Sequence, residues 1–300
     1  MTNFLYHSRQ ELRHRLKDAK NYFSIRRRFA GNSRAADLKV IFQTVFTPQK
    51  RILFFPDHPD KNSAVYKLCA LLGHAITANP RRRFDIAVKW RDATVFDAAI
   101  LEKIPRAGRI INGRSLDISK RAVAKTFAGI FGYPLEINPR EFCGKIVEKS
   151  DRNASHDGRL LDGPLAPEKI RPGYVYQKAI DNVFGDLVLD YRISILGAEI
   201  PLVYLKYRPV ESRFRSENVY VKLDKPSRVF SSGELGKIIL MARAMGVDYA
   251  EIDILRDKDR RIYVVDVNNT PHGPPDVLPT AEGKIALARL AKAFTRLLEQ

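Results

Sequence analysis

Runs of apolar residues, and the breaks between them, predict the elements of the first part of the chain. RILFFPD, which begins at Arg51, is a short apolar run stopped by Pro56, and FDIAVKW is a second run of this kind. Between them, SAVYKLCALLGHAI carries apolar residues at helical spacing. This strand-helix-strand alternation predicts a small α/β lobe with a parallel sheet over residues 46–112.

Helical spacing and end signals predict three further helices. In SKRAVAKTFAGIF the apolar residues follow a helical period from about Ser119 to Phe131, and Gly132 is placed to end the helix. A capped helix begins near Ser232, and EGKIALARLAKAFTRLLEQ forms another helix near the end of the sequence.

Strand patterns dominate the region between these helices. A strand is predicted around residues 145–149, while YVYQKAI and LDYRISILGAEIPLVYLKYRP are predicted to form one meandering, mostly antiparallel sheet. YAEIDILRD and RIYVVDVN form a hairpin across the charged turn from Asp257 to Arg261. Together the elements predict a mixed α/β (α+β) fold.

Composition limits the compartment and the partners. A chain of 300 residues with 45% hydrophobic residues can bury a substantial core. Its two cysteines give neither a disulfide framework nor a zinc spacing, which favours a reducing, cytoplasmic location. No segment approaches the roughly 20 apolar residues that span a bilayer. The net charge of +18 predicts an anionic partner.

The N-terminal segment, residues 1–45, is predicted to be a basic helical extension. Its leucines and aromatic residues are scattered through a dense field of arginine and lysine. Such a helix either packs on the body of the protein or docks to an acidic membrane surface, a nucleic acid or an anionic polymer. The first of these anions would place the protein at the inner face of the membrane. No specific nucleic-acid-binding motif is found.

The predicted hairpin carries a candidate metal site. Asp253 lies in its first strand, and Asp266 and Asn268 lie in its second, where residues two apart share a face. A buried, unpaired carboxylate would cost several kcal/mol, so Asp266 needs a partner. Three oxygen ligands of this kind suit magnesium, which takes few protein carboxylates. The alternative is a pair of hydrogen-bonded carboxylates that cap turns.

Several cations stand at the ends or in the middle of the predicted elements. A charge among apolar strand residues needs a counter-charge, and a triphosphate bound with magnesium would supply one. The cations are Lys120, Lys149, Arg192, Lys206 and Arg215.

These motifs, taken in order, resemble the ATP-grasp superfamily. They are IN near residue 112, SKRAVAKTFAGIFGYPLEINP, the strand ending at Lys149, YQKAI, LDYRISILGAEI, FRSEN, IDIL and VDVN, and they cover roughly residues 110–275. Within the superfamily the chain is most similar to ribosomal-protein glutamate ligases and bacterial glutathione synthetases. The resemblance implies two ATP-grasp subdomains, over residues 113–178 and 179–300, behind the small α/β lobe.

The resemblance also implies a role for each matching residue. Magnesium, as two ions, would be held by Asp253, Asp266 and Asn268. ATP phosphates would be contacted by Lys120 and Lys149, with Arg121 and Lys125 as alternatives to the first. The segment Gln177, Lys178, Ala179 and Ile180 would be the adenine hinge, with the base held between Val175 and Ile180. Asp190 and Lys206 would also bind the cofactor. Arg192, Arg215 and Asn218 would be catalytic, with Arg215 and Asn218 near the transferred phosphate.

The chain departs from the family pattern at several places. Asp266 stands where the family usually has glutamate, which shortens the reach to a metal. The loop SDRNASHDGR has only Gly158 where the family has a glycine-rich phosphate loop, so either its side chains contact phosphate or the loop is poorly formed. His272 follows the metal motif and is either specific to the substrate or a solvated turn residue.

The function implied by the resemblance is ATP-dependent carboxylate–amine ligation. A carboxylate would be activated as an acyl phosphate and passed to an amine, with ADP and phosphate as products. The alternatives are a phosphotransferase on the same scaffold and a non-catalytic nucleotide- or polyanion-binding protein. The basic segments favour carboxylate or amine substrates that are anionic or carried on a polymer.

Overall fold

The computed structural model of the protein describes residues 20–28, 49–105, 108–153, 155–215 and 217–300. Three sheets and four longer helices make up most of it. None of the helices in these ranges is both long and apolar enough to cross a membrane.

The first sheet is parallel and has four strands in the order β2-β1-β3-β4. Helix α1, Ala64–Leu72, follows the first strand and ends where Gly73 adopts the left-handed conformation, with φ 73°. The helical pattern predicted through GHAI therefore stops earlier than expected, and its end forms a strand. The strands are β1 (Arg51–Pro56), β2 (Ala75–Thr77), β3 (Ile86–Trp90) and β4 (Ile110–Ile111).

The second sheet is antiparallel, with three strands in the order β6-β5-β7. The prediction that YVYQKAI joins the same sheet as LDYRISI is wrong, because β7 pairs with β5 and sets Gln177 opposite Val147. Residue pattern identifies a strand, but it does not specify a partner distant in the sequence. The strands are β5 (Gly144–Ser150), β6 (Arg159–Gly163) and β7 (Tyr174–Lys178).

The third sheet has six strands, five of them in the order β11-β10-β9-β12-β13, with β8 paired to β9. The hairpin between β12 and β13 is confirmed: the amide of Asp257 donates to the carbonyl of Arg261 at 3.0 Å. The strands are β8 (Val183–Phe184), β9 (Leu187–Leu196), β10 (Val203–Pro209), β11 (Tyr220–Asp224), β12 (Tyr249–Arg256) and β13 (Ile262–Asn268).

The predicted ends of the helix in residues 119–131 and the predicted start of the helix near Ser232 are confirmed. Helix α2, Lys120–Phe131, starts at the N-cap Ser119 and ends at Gly132 in the left-handed conformation. Helix α3, Ser232–Ala244, opens with a capping box between Ser231 and Glu234. The other helical pieces are α4 (Thr280–Leu297), a helical turn at Pro226–Val229, and 3-10 turns at Ala98–Lys103, Pro167–Lys169 and Val210–Ser212.

The six-stranded sheet separates an apolar layer from a polar face. Ile252, Val264 and Ile193 point to the side where α2 and α3 pack, together with Phe127 and Ile238 in one buried cluster. Because side chains alternate along a strand, the residues between them face the opposite side. That side carries the charged residues of the candidate site.

The helical residues 20–28 pack on the body of the protein. Tyr22 is 2% exposed and meets Tyr66 of α1 edge to face, with ring centroids 5.2 Å apart. Its hydroxyl lies 3.2 Å from the carbonyl oxygen of His74, to which it donates. This part of the predicted basic extension is a packed helix, whereas residues 1–19 and 29–48 lie outside the described ranges.

Asn112 ties the parallel sheet to the start of β12. Its side-chain oxygen accepts from the amides of Asp248 and Tyr249, each at 2.8 Å, and its nitrogen donates to the carbonyl of Tyr249 at 2.7 Å. The residue is fully buried, and its φ is 60°. Asparagine adopts this left-handed conformation more readily than most other non-glycine residues, because its short polar side chain can form local hydrogen bonds.

Replacing Asn112 with alanine is expected to lower the free energy of unfolding by about 3–5 kcal/mol. Three buried backbone groups lose their partners, at roughly 1 kcal/mol each, and the left-handed conformation costs alanine roughly 1–2 kcal/mol more. Chemical denaturation measures the loss. Asn112→Gly is the control, since it keeps the backbone relaxed and should lose less; equal stability of wild type and Asn112→Ala would contradict this role.

Candidate active site

A cavity lies between the three-stranded sheet and the six-stranded sheet. Strands β5 and β7 supply one wall, and β9, β10, β12 and β13 supply the other. Loop residues 153, 155–158, 213, 214 and 218 complete the lining. Two of the predicted site residues, Ala179 and Arg215, do not line it. Those that do are Lys120, Lys149, Gln177, Lys178, Ile180, Asp190, Arg192, Lys206, Asn218, Asp253, Asp266 and Asn268.

Two carboxylates face each other at the floor of this cavity. Asp253 on β12 and Asp266 on β13 are opposite in register, and a bulge follows directly after Asp253. Asn268 lies two residues beyond Asp266, and its side-chain oxygen accepts from the amide of Thr270 at 2.9 Å. The structure thus brings the three predicted oxygen ligands into the lining of one cavity.

Asp253 is neutralised by basic side chains of neighbouring strands. Arg192 donates to both of its oxygens at 2.7 Å, and the ammonium of Lys206 lies 3.7 Å away. Burial would raise the pKa of Asp253, but the charges of Arg192 and Lys206 outweigh it and hold that pKa below the usual range. The sequence predicted that a triphosphate would supply the counter-charge of Arg192. In the structure, Asp253 supplies it.

Asp266 has a different electrostatic setting. Burial and the facing charge of Asp253 raise its pKa, and Lys120 and Lys149 act in the opposite direction. Like charges on facing carboxylates repel unless a cation lies between or beside them. This setting favours a bound cation near Asp266.

The opposite wall carries two lysines. The ammonium of Lys149 on β5 is 3.3 Å from the carbonyl oxygen of Val265, and burial lowers the pKa of this lysine to about 8. Lys120, at the first turn of α2, donates to the carbonyl of Arg152. Both ammonium groups therefore stand on the side of the cavity that faces the carboxylates.

The glycine-poor loop after β5 is held in place by hydrogen bonds. The amide of Ser150 donates to Asp157 at 3.0 Å, and the amide of Asn153 donates to Thr94 at 2.9 Å. A Cβ atom on Gly158 would come within 2.6 Å of the Phe214 ring, so only glycine fits there without movement. Ser155 and His156 line the cavity with Asn153, Asp157 and Gly158, whereas Arg152 does not.

Part of the cavity lining is apolar, and Gln177 is buried beside it. Gln177, which is 2% exposed, has a side-chain nitrogen without a hydrogen-bond partner in the described structure. The amides of Lys178 and Ala179 donate to the carbonyls of Leu135 and Lys145. Val175 is buried but does not line the cavity, and the apolar lining comes from Leu135, Val147, Ile180, Val188, Leu255 and Val265.

Three residues that the sequence analysis missed also line the cavity. Arg208 pairs with Asp190, and Arg213 donates to the carbonyl of Ile180 at 3.1 Å and to Asn182 at 2.8 Å. Arg208 follows Lys206 by two residues in β10, so the strand period could have placed both on one face. Arg213 and Asn182 lie in loops, where no period applies.

The residues at the cavity floor fit magnesium. The described residues contain no group of three or more His, Cys, Asp or Glu side chains that could hold a metal ion. Two aspartates and one asparagine, Asp253, Asp266 and Asn268, nevertheless offer the few oxygen ligands that magnesium takes when substrate phosphates and water complete its shell. The lysines opposite offer the matching contacts for those phosphates.

His272 lies on the loop after β13, outside the cavity lining. Its Nε2 is 2.9 Å from a carboxylate oxygen of Asp60, and both side chains are exposed. The His272 ring thus connects the loop after β13 to the loop after β1. The backbone reinforces this junction, because the amide of Ala64 donates to the carbonyl of Pro271 at 3.0 Å.

Comparison with solved structures decides the fold. The ATP-grasp ligase PsnB, in a complex with minimal precursor, Mg and ADP, covers 83% of this chain and 98% of its own, with a TM-score of 0.54 and 14% sequence identity. The chain has the ATP-grasp fold. The D-cycloserine synthetase DcsG is similar to this chain over the same extent, 83% of this chain and 99% of its own, with a TM-score of 0.52 and 13% identity.

Sequence comparison adds one relative. The chain is 28% identical over 142 residues to the alpha-aminoadipate–LysW ligase LysX of Saccharolobus solfataricus. This stretch is 47% of the chain and 49% of LysX, so the chain spans about half the length of the curated relative it matches. The chain matches no protein-family model.

Proposed function

We propose that the chain is an ATP-dependent carboxylate–amine ligase. The observation that carries the proposal is the cavity in which Lys120 and Lys149 face Asp253, Asp266 and Asn268 across the two sheets. The ATP-grasp fold and the similarity to LysX support it, since LysX is by name a ligase. ATP and magnesium would be its co-substrate and cofactor.

The chain's own residues would divide the work as follows. Lys120 and Lys149 would bind the phosphates of ATP, and Asp253, Asp266 and Asn268 would hold magnesium, as two ions, which would supply shielding of the phosphate charge. Gln177, Lys178 and Ile180, which line the cavity, would lie along the base. Arg192, Lys206 and Asn218 would supply cations and polar groups at the reacting end, and Asp190 orients Arg208. Arg215 lies outside the cavity lining and has no part in this scheme.

Catalysis in this scheme is positioning and neutralisation of charge. An oxygen of the substrate carboxylate attacks the γ-phosphorus, and ADP leaves. The amine then attacks the carbonyl carbon of the resulting acyl phosphate, phosphate leaves with the bonding electrons, and the amide forms after the amine loses a proton. Arg192 and Lys206 offset the negative charge that gathers at the cavity floor.

Trapping with hydroxylamine tests the ligase proposal. Hydroxylamine intercepts an activated carboxylate as a hydroxamate, so ADP release that requires a carboxylate should be matched by an equal amount of hydroxamate. Pools of amino acids and acidic peptides would supply the carboxylate. ADP release that needs a hydroxyl compound and yields a phosphate ester without hydroxamate would instead identify a phosphotransferase.

We further propose that one substrate is anionic or carried on a polymer. The net charge of +18 supports this, as does PsnB, whose complexes contain a precursor peptide. An acidic membrane surface is a second anion that the basic segment of residues 1–45 would meet. A cytoplasmic location is proposed on the cysteines, Cys69 and Cys143, which are both free.

Deleting residues 1–19 is expected to weaken binding to anionic polymers without changing nucleotide binding. The deletion removes basic residues but keeps the packed helical residues 20–28. Elution from immobilised heparin should then need less salt, because fewer ion pairs form. Unchanged elution would show that the segment does not meet the anion, and anionic vesicles in a parallel assay separate the membrane from the polymer.

A further inference from the structure

Three buried polar atoms in one cluster have no hydrogen-bond partner among the described residues. They are the Oε2 atom of Glu251 and the hydroxyl oxygens of Tyr204 and Ser194. The exposed fractions of these residues are 4%, 0% and 3%. Buried polar groups in folded proteins are nearly always hydrogen-bonded, so a cluster of three exceptions points to a missing partner.

The cluster adjoins the floor of the active-site cavity. Glu251 is opposite Ser194 on β9 and Asn268 on β13, and it shares a face of β12 with Asp253 two residues on. Tyr204 on β10 is opposite Arg192. Asn268, Asp253 and Arg192 line the cavity. The cluster therefore lies directly beside the metal-binding candidates on the same face of the sheet.

The neighbouring cations do not satisfy Glu251. Arg192 gives its Nε and Nη2 donors to Asp253, and its remaining Nη1 atom is 3.5 Å from Oε2 of Glu251. The ammonium of Lys67 donates to the carbonyl of Gly273 at 2.6 Å. A Cβ atom on Gly273 would be 3.5 Å from Oε1 of Glu251, so Gly273 lies beside the carboxylate without crowding it.

A second buried glutamate shows what a satisfied carboxylate looks like in this chain. Glu148 on β5 has no exposed surface, and it accepts from Arg159 at 2.5 Å, from Arg171 at 2.5 Å and from the hydroxyl of Tyr176 at 2.7 Å. Glu251 is buried to almost the same degree without such partners. The hydrogen bonds of Glu148 mark it as a structural carboxylate, whereas the carboxylate of Glu251 is free to accept hydrogen bonds from a ligand.

We propose that Glu251 determines substrate specificity by binding, with the hydroxyls of Tyr204 and Ser194, the positively charged amino group of a substrate. A primary ammonium has three donors, and this cluster offers three acceptors. The proposal rests on the proposed ligase function, which requires a substrate that carries an amine. On this proposal the chain prefers a substrate with a primary ammonium group, which binds beside the metal-binding candidates.

The first test compares the thermal stability of Glu251→Gln with that of Glu148→Gln, both without ligand. If Glu251 is kept for a ligand, removing its charge should leave the melting temperature unchanged or raise it, since the desolvated charge has no hydrogen bond to lose. Glu148→Gln should lower it, because two arginines lose their carboxylate. A comparable fall in Glu251→Gln would make Glu251 a structural partner of Arg192 and overturn the proposal.

The second test uses glycinamide as a cationic probe and N-acetylglycinamide as its neutral counterpart. Each is titrated into wild type and Glu251→Gln loaded with magnesium and a non-hydrolysable ATP analogue. Glycinamide should bind the wild type at least about tenfold more tightly than the variant, the loss typical of one hydrogen bond to a charged group. Equal affinities, including no binding by either protein, would overturn the proposal.

The loading step separates the two ways in which the account can fail. If the ATP analogue binds both proteins but glycinamide does not distinguish them, the role of Glu251 falls and the ligase proposal stands. If the wild type does not take up the analogue with magnesium, the proposed function itself fails.

Discussion

Asp266→Asn is expected to abolish the magnesium dependence of nucleotide binding while the fold stays intact. Asp266 is one of two carboxylates at the cavity floor, and burial together with the charge of Asp253 already raises its pKa. The amide keeps the shape but has one oxygen and no charge to offer a cation. Even supporting residues cost a metal site roughly 10–100-fold in affinity, so loss of a direct ligand should cost at least about 100-fold.

The measurement is a titration of a fluorescent ATP analogue with and without magnesium, beside a melting curve. Removing a charge that faces Asp253 relieves repulsion, so the melting temperature should not fall. Asp259→Asn is the matched control, since it makes the same change in the exposed turn of the same hairpin. A variant that unfolds would show that Asp266 is structural, and unchanged magnesium dependence would place the metal elsewhere.

Lys149→Met is expected to remove nucleotide binding and to stabilise the protein without ligand. Burial lowers the pKa of Lys149 from 10.5 to about 8, so the charged form is disfavoured in the folded state. Methionine fills similar space without a charge. The pKa shift limits the gain in the free energy of unfolding to about 3 kcal/mol near pH 7. Nucleotide binding is lost because the phosphates no longer meet the ammonium group of Lys149.

The pH dependence of this stability difference has a definite sign. The folded-state pKa of Lys149 lies below the unfolded value of 10.5, so the lysine destabilises the fold fully below about pH 8. This penalty disappears as the pH rises from 8 toward 10.5. The stability gap between Lys149→Met and wild type should therefore be widest near pH 7 and close in alkaline solution.

Lys145→Met is the matched control for this prediction. Lys145 lies on the same strand, is exposed, and pairs with Asp162 at 2.7 Å outside the cavity. Its replacement should change neither nucleotide affinity nor, by much, the free energy of unfolding, since exposed ion pairs contribute little. If Lys149→Met bound nucleotide as the wild type does, Lys149 would have no place in the phosphate site.

Sequence reasoning succeeded where the signal is local. The ends of α2 are marked by Ser119 and Gly132, and the hairpin that sets Asp253 opposite Asp266 is closed by a short turn. Both follow from residues within a few positions of each other. The shared face of Asp266 and Asn268 follows as well, because side chains alternate along a strand.

Sequence reasoning failed where strand pairing or ion pairing depends on residues that are distant in the sequence. No local pattern places β7 beside β5 rather than beside β9, and none shows that Arg192 is neutralised by Asp253. Glu251 was missed although YAEIDIL holds an acidic residue among apolar ones, two positions before Asp253 on the same face. That signal becomes informative only when the hydrogen-bond partners around it are known.

The central claim is that the cavity between the two antiparallel sheets binds ATP through magnesium. Calorimetric titration of a non-hydrolysable ATP analogue into the wild type, with magnesium and then with a chelator, tests it most directly. The account predicts binding at one site per chain that is lost when magnesium is removed. Absence of binding to the folded protein under both conditions would contradict it and leave the basic surface as the functional feature to pursue.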